Sequence, residues 1–236
     1  RRSLLLLALA GPAALAAGAA QTTAELRDLL IEGHTPVRLE AATVDRGCGP
    51  AGCTIDTDGV SILRDRGALK QTGGKAIPIR LLSSGRAPDL DWEPLDVFRV
   101  FGERGYWGTC LEFSHAGIGK SGAWQRWTSI VLVPRNPPQP RSRAWRIVGY
   151  RTGCDALITH PDKPDTLSLP VVEVTTVDSR KTPFGLQIVW HHCNARNCTT
   201  EIDPRPVRGD PRGADGVLTM DAPQGCQRGR PALTPL

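Results

Sequence analysis

Residues 186–200, LQIVWHHCNARNCTT, alternate apolar and polar side chains and then close on two cysteines. Leu186, Ile188 and Trp190 interleave with Gln187, Val189 and His191, the period of two expected of a half-buried strand. The strand leads through His192 and Cys193 into a short polar loop and Cys198. The four intervening residues leave enough chain to bring the two α-carbons within disulfide range around a turn.

Working outward, the same signature recurs. Leu95–Phe101 and Tyr106–Phe113 flank Gly102-Glu103-Arg104-Gly105, a connection of the kind that joins antiparallel strands. Residues 124–133, 145–150 and 169–177 read as further strands, and 135–143 (RNPPQPRSR) is too proline-rich for regular structure. Helical patterns between these runs are absent, which argues for an antiparallel sandwich or barrel-like sheet rather than parallel crossovers. Earlier in the chain, 36–44 and 77–82 read as short strands, 46–53 as a tight loop, and 54–63 as an extended run with a turn at Asp56-Thr57-Asp58-Gly59. One helix is expected, at 23–32: Thr22-Thr23-Ala24-Glu25 forms a capping box, Leu26, Leu29 and Leu30 share a face, and Gly33 stops it. Glycine and proline make up about 19 per cent of the 236 residues against roughly 12 per cent on average, as a turn-rich β chain requires. Six tryptophans and 40 per cent apolar residues exclude wholesale disorder.

Residues 1–20, RRSLLLLALAGPAALAAGAA, pair two arginines with an apolar run too short to span a membrane and ending in small residues, the pattern of a secretory signal. The expected organisation is then a signal at 1–20, an N-terminal helix with short strands at 21–90, a main antiparallel β body at 91–203 and a loop-rich tail at 204–236. The formal net charge of +5 becomes +3 without Arg1 and Arg2, a mild excess that does not imply a nucleic-acid partner. Export places the protein in the periplasm or the medium, where cysteines pair. Seven cysteines allow roughly a hundred connectivities with one left over. The two Cys-x4-Cys spacings select Cys48 with Cys53 and Cys193 with Cys198 as local staples. Cys110 and Cys154, at strand ends, make a third bridge between strands or sheets, leaving Cys226 as the odd thiol.

Several motifs resemble chemistry without meeting its requirements. Cys48-Gly49-Pro50-Ala51-Gly52-Cys53 has two residues too many for a Cys-x-x-Cys redox pair and no helix after it to lower a thiol pKa. Gly117-Ile118-Gly119-Lys120-Ser121 lacks the first glycine of a phosphate loop, its position being Ser114, and a strand follows where a helix should. Ser114-His115 and His160 with Asp162 supply letters of a hydrolase triad, but no Gly-x-Ser-x-Gly elbow is present. Arg208-Gly209-Asp210 is a chance tripeptide in a loop-rich tail. His191, His192 and Cys193 carry metal-donor atoms, yet neighbouring residues of a strand face opposite ways and an oxidised Cys193 offers no thiolate.

No cofactor is implied and no catalytic residue stands out. The expectation is an exported, soluble, disulfide-stapled β protein that acts by binding rather than catalysis, toward another envelope or secreted protein or a glycan. Trp124, Arg126, Trp127, His191 and His192 are its candidate binding surface. Two alternatives follow: a metal-binding protein using the His191/His192/Cys193 region, and a secreted hydrolase. The hydrolase requires a histidine in a cleft within reach of a carboxylate and a nucleophile.

Overall fold

The computed structural model describes residues 23–49, 52–57, 59–71, 76–82, 90–115, 127–135, 143–150, 152–174, 186–205, 207–209 and 218–220. A single helix, α1 (Thr23–Ile31), opens the described chain. The strands follow as β1 (Arg38–Ala41), β2 (Asp45–Gly49), β3 (Gly52–Thr57), β4 (Val60–Leu63), β5 (Ala68–Gln71), β6 (Ala76–Ile77), β7 (Ile79–Leu81), β8 (Leu90–Gly102) and β9 (Gly105–His115). Then come β10 (Trp127–Pro134), β11 (Ala144–Tyr150), β12 (Ile158–His160), β13 (Lys163–Val174), β14 (Leu186–Cys193), β15 (Cys198–Ile202), β16 (Val207–Gly209) and β17 (Leu218–Met220).

They form three sheets. The first runs β1-β8-β9-β10-β11-β7, all antiparallel except the β11–β7 pair. The second runs β12-β13-β14-β16-β17, with β15 also on β14, and the third is the meander β2-β3-β4-β5-β6. The first sheet is the middle layer, because its strands send alternate residues into two different cores. Ile130 and Leu132 of β10, with Cys110, Trp145 and Ile147, pack on Leu167, Leu169, Val171 and Cys193 of the second sheet. Val131 and Val133, with Leu111 and Phe113, pack on Ile55, Ile62, Leu69 and Ile77 of the meander. A strand covered on both faces must be apolar throughout, which is why β10 reads Ile-Val-Leu-Val without alternation. The outer face of the second sheet is capped by α1, whose Leu26 and Leu30 meet Val172, Leu186, Ile188 and Val207.

The antiparallel β architecture, the short helix and the staples agree with the sequence reading, and among the described residues no closed barrel forms. Local corrections have physical causes. Leu29 is 39 % exposed, so the helix buries a narrower stripe than its three leucines suggest. Gly33, at φ 77°, takes the left-handed conformation that ends the helix. The expected loop at 46–53 is instead a hairpin of β2 and β3 that places Cys48 directly opposite Cys53. β8 begins at Leu90 and carries Pro94 through an irregular register, ahead of the expected start at Leu95. Short strands β16 and β17 lie within the tail expected to be loop-rich. β1 and β7 share the central sheet with β8–β11, so the first 90 residues contribute directly to the layer that organises the body.

All three expected bridges form: Cys48–Cys53, Cys110–Cys154 and Cys193–Cys198. Cys226 lies outside the described residues, as do 1–22 and 116–126. Cys110–Cys154 closes 44 residues of chain, worth on the order of 4 kcal/mol in the loop-entropy model. Its 3-10 turn is held further by the Cys154 amide donating to Glu112 Oε1 at 2.5 Å. Gly149 lets the first two sheets approach closely: a Cβ there would stand 2.0 Å from Val171 Cγ1, and 2.3 Å from Thr152 Oγ1 of its own connection.

Gly149→Ala is expected to cost about 1–3 kcal/mol by overpacking against a stiff β-branched neighbour. Urea unfolding should show that cost shrinking when Val171→Ala is combined with it, because the two changes act on one contact. The disulfides should also yield in order of exposure. Cys48 is exposed, whereas Cys110, Cys154, Cys193 and Cys198 are buried. Graded reduction with trapping by iodoacetamide is therefore expected to label Cys48 and Cys53 first, and earlier labelling of Cys110 would contradict the burial.

Candidate functional site

Among the described residues, polar and aromatic side chains gather in a larger and a smaller concave region. The larger, about 580 Å3, lies at one end of the stacked sheets. The β8–β9 hairpin supplies Arg104, Tyr106 and Trp107, the end of β10 supplies Arg135, the start of β13 supplies Asp165, and the β14–β15 turn supplies Asn194–Asn197. These segments meet because the Leu167–Cys193 register places the start of β13 beside the end of β14.

The turn is rigid. Asn194 Oδ1 accepts the amides of Arg196 and Asn197 at 2.8 Å, the Asn194 amide donates to the Asn197 carbonyl, and Trp145 Nε1 donates from the core to the Asn194 carbonyl at 3.3 Å. The Cys193–Cys198 bridge closes its base. Across the groove, the Arg135 guanidinium lies 5.4 Å from the Tyr106 ring centre and Tyr106 packs on Phe101 at 5.4 Å. Trp107 Nε1 donates to the Asp165 carbonyl, and the Asp165 carboxylate takes Arg104 at 2.7 Å. The lining thus carries three guanidiniums and one carboxylate, and that carboxylate is already paired.

The second region is a cleft of about 220 Å3 on the outer face of the second sheet, lined by His34, Ile158, His160, Pro161, Ser168, Trp190, His192 and Glu201. Strand alternation builds it. Trp190 and His192 share a face of β14, Ser168 of β13 lies opposite His192, and Glu201 of β15 lies opposite Trp190. Ser168 Oγ and His192 Nδ1 are 2.8 Å apart, and His192 Nε2 is 3.7 Å from Glu201 Oε2. The His160 ring stands edge-on to His192 at 5.1 Å, and its Nδ1 accepts the Asp162 amide. Burial, reinforced by His160, holds the His192 pKa below the ordinary imidazole value.

Trp190 is fixed by donating Nε1 to Asp203 Oδ2 at 3.1 Å. Arg205 grips the same carboxylate from its side chain and backbone, lowering the Asp203 pKa to about 2. His191 points the other way, into the space between the sheets. It is 1 % exposed, with Nε2 3.5 Å from Glu173 Oε1, and takes no part in the cleft.

Of the two candidate residues whose side chains are described, His192 is brought to a concave site and His191 is not. Trp124 and Arg126 lie outside the described residues, and Trp127 is described only as the first residue of β10, paired with Tyr150. Tyr106, Trp107, Arg135 and Arg196, none of them in that expected set, line the larger groove together. Pattern reasoning missed His34, Ser168 and Glu201, though the 193–198 hairpin alone implies that Glu201 faces Trp190. Among the described residues, no group of three or more histidine, cysteine, aspartate or glutamate side chains is arranged to hold a metal ion, and Cys193 is oxidised. No helix among them is long and apolar enough to cross a membrane. No family model, curated protein or solved structure matches the chain.

Asp203→Asn removes the charge that holds both Arg205 and Trp190, and is expected to cost about 1–3 kcal/mol. Because the folded pKa lies below the unfolded value of 3.8, this contribution is complete above pH 3.8 and disappears as pH falls toward about 2. Wild-type and variant unfolding free energies should therefore converge through that window; a gap persisting at pH 2 would place the role of Asp203 elsewhere.

Proposed function

We propose that this chain is an exported protein, periplasmic or secreted, that works by binding an acidic segment of another envelope or secreted protein in the groove between the β8–β9 hairpin and the β14–β15 turn. Two features of the chain support export: the apolar run at 1–20 and the disulfides, which suit an oxidising compartment.

The observation that carries the binding reading is the composition of the groove, with Arg104, Arg135 and Arg196 beside Tyr106 and Trp107. Arginine and aromatic side chains dominate the energetics of protein interfaces, and a guanidinium presents paired donors that match a carboxylate. The asparagine-capped turn adds rigidity, so little ordering entropy is lost when a ligand docks. A neutral partner would leave the excess positive charge uncompensated, whereas an acidic one is steered toward it.

Calorimetric titration with a hexaglutamate peptide, in parallel with a uronic-acid oligosaccharide, tests this reading. The peptide is expected to bind at low salt and to weaken as salt rises. Arg135→Glu combined with Arg196→Glu should reduce affinity by about tenfold or more. Absence of peptide binding at low salt, or binding of the oligosaccharide alone, would contradict the assignment.

A further inference from the structure

Ser168, His192 and Glu201 set a histidine in a cleft with a hydroxyl at hydrogen-bond distance on one side and a carboxylate at ion-pair distance on the other. We propose that this cleft on the outer face of the second sheet is a second functional site, one that hydrolyses small carboxylic esters with Ser168 as nucleophile and His192 as general base. This goes beyond the binding groove and does not depend on it.

The tautomer follows from the neighbours. A carboxylate is a pure acceptor, so Glu201, 3.7 Å from Nε2, favours the ring proton on that nitrogen. Nδ1 is then left with its lone pair toward Ser168 Oγ at 2.8 Å, and the hydroxyl donates to it. This is the relation a nucleophile needs with its base, with a third group orienting the base. The lowered basicity of His192 keeps the ring neutral, and therefore able to accept a proton, at neutral pH.

The neighbouring imidazole is set differently. His160 Nδ1 accepts the Asp162 amide, so the neutral ring carries its proton on Nε2, a donor on the cleft wall for an ester carbonyl oxygen. Ser168 forms the cleft floor and is 2 % exposed, and the cleft holds about 220 Å3 between Trp190, Ile158 and Pro161. Only a short acyl group reaches such a hydroxyl, which sets the substrate class.

The chemistry balances without a cofactor. Ser168 Oγ bonds to the ester carbonyl carbon while its proton passes to His192 Nδ1, and the resulting imidazolium faces the Glu201 carboxylate. The carbon–oxygen bond to the alcohol then breaks, and the leaving oxygen takes the proton from Nδ1. Water attacks the acyl-serine, giving a proton to Nδ1 that returns to Ser168 Oγ as the carboxylic acid departs.

The test uses the full chain, a small alkyl fluorophosphonate as probe and p-nitrophenyl acetate as substrate. The expected results are one covalent adduct mapping to Ser168 and ester hydrolysis that Ser168→Ala and His192→Gln each reduce by about 100-fold or more. Glu201 is 75 % exposed at its side chain, so Glu201→Gln should leave the thermal midpoint unchanged while lowering kcat about tenfold. The wild-type rate should rise with pH through a single ionisation below the ordinary imidazole value. No adduct at Ser168, hydrolysis no faster than buffer, or full activity in Ser168→Ala would each overturn the proposal.

Discussion

Burial of both faces of the central sheet is the constraint on which the rest of the structure depends. β10 sends Ile130 and Leu132 to one core and Val131 and Val133 to the other, so a single strand belongs to both. Each fully buried aliphatic side chain contributes roughly 1.5–3 kcal/mol. A sheet with two wet faces could not be this apolar, and one with a single wet face would alternate. Everything else is placed by what covers this layer: the β2–β6 meander on one side, and on the other the second sheet, which carries α1 on its far face. Gly149 lets the second sheet approach closely at Val171, and the Cys110–Cys154 bridge anchors β9 to the turn that leads into β12.

Both concave sites follow from the second sheet's attachment to that layer. The Cys193–Cys198 hairpin has two consequences. Its turn, Asn194–Asn197, forms one wall of the groove, with Trp145 donating to it from the core. Its returning strand sets Glu201 beside Trp190, and the Asp203–Arg205 pair holds the tryptophan in place from below. Positions one residue apart on β14 meet different fates, His191 buried beside Glu173 and His192 open to the cleft, because a strand has no other way to display them.

Much of the fold was legible because its signals are local. Period-two runs marked β8, β9, β11 and β14, the Gly102–Gly105 connection marked their hairpin, and equal Cys-x4-Cys spacings marked two bridges. The pairing of Cys110 with Cys154 was expected from strand ends, but Cys110 lies in mid-β9, paired on both sides, and its side chain reaches Cys154 in the 3-10 turn across the core. What escaped were short strands with few apolar residues, such as β2 (Asp-Arg-Gly-Cys-Gly), which is exposed along its length and owes its conformation to pairing with β3. The cleft escaped for another reason. His34, His160, Ser168, His192 and Glu201 come from five separate segments, and the registers of the four strands β12 to β15 bring four of them together. His160 and His192 were each singled out beforehand, for different motifs, whereas a serine in mid-strand carries none. The groove arginines were likewise invisible, because Arg135 and Arg196 are adjacent only after the sheets stack.

Native-state hydrogen exchange of the full chain tests the two-faced central layer most directly. The amides of Ile130 to Val133 and their partners on β9 and β11 should exchange only through global unfolding, and so should be the slowest in the molecule. The meander β3–β5 and the edge strand β15 should exchange earlier through local opening. If β10 exchanges as fast as β15, or if the meander outlasts it, the central sheet is not the layer on which the others depend.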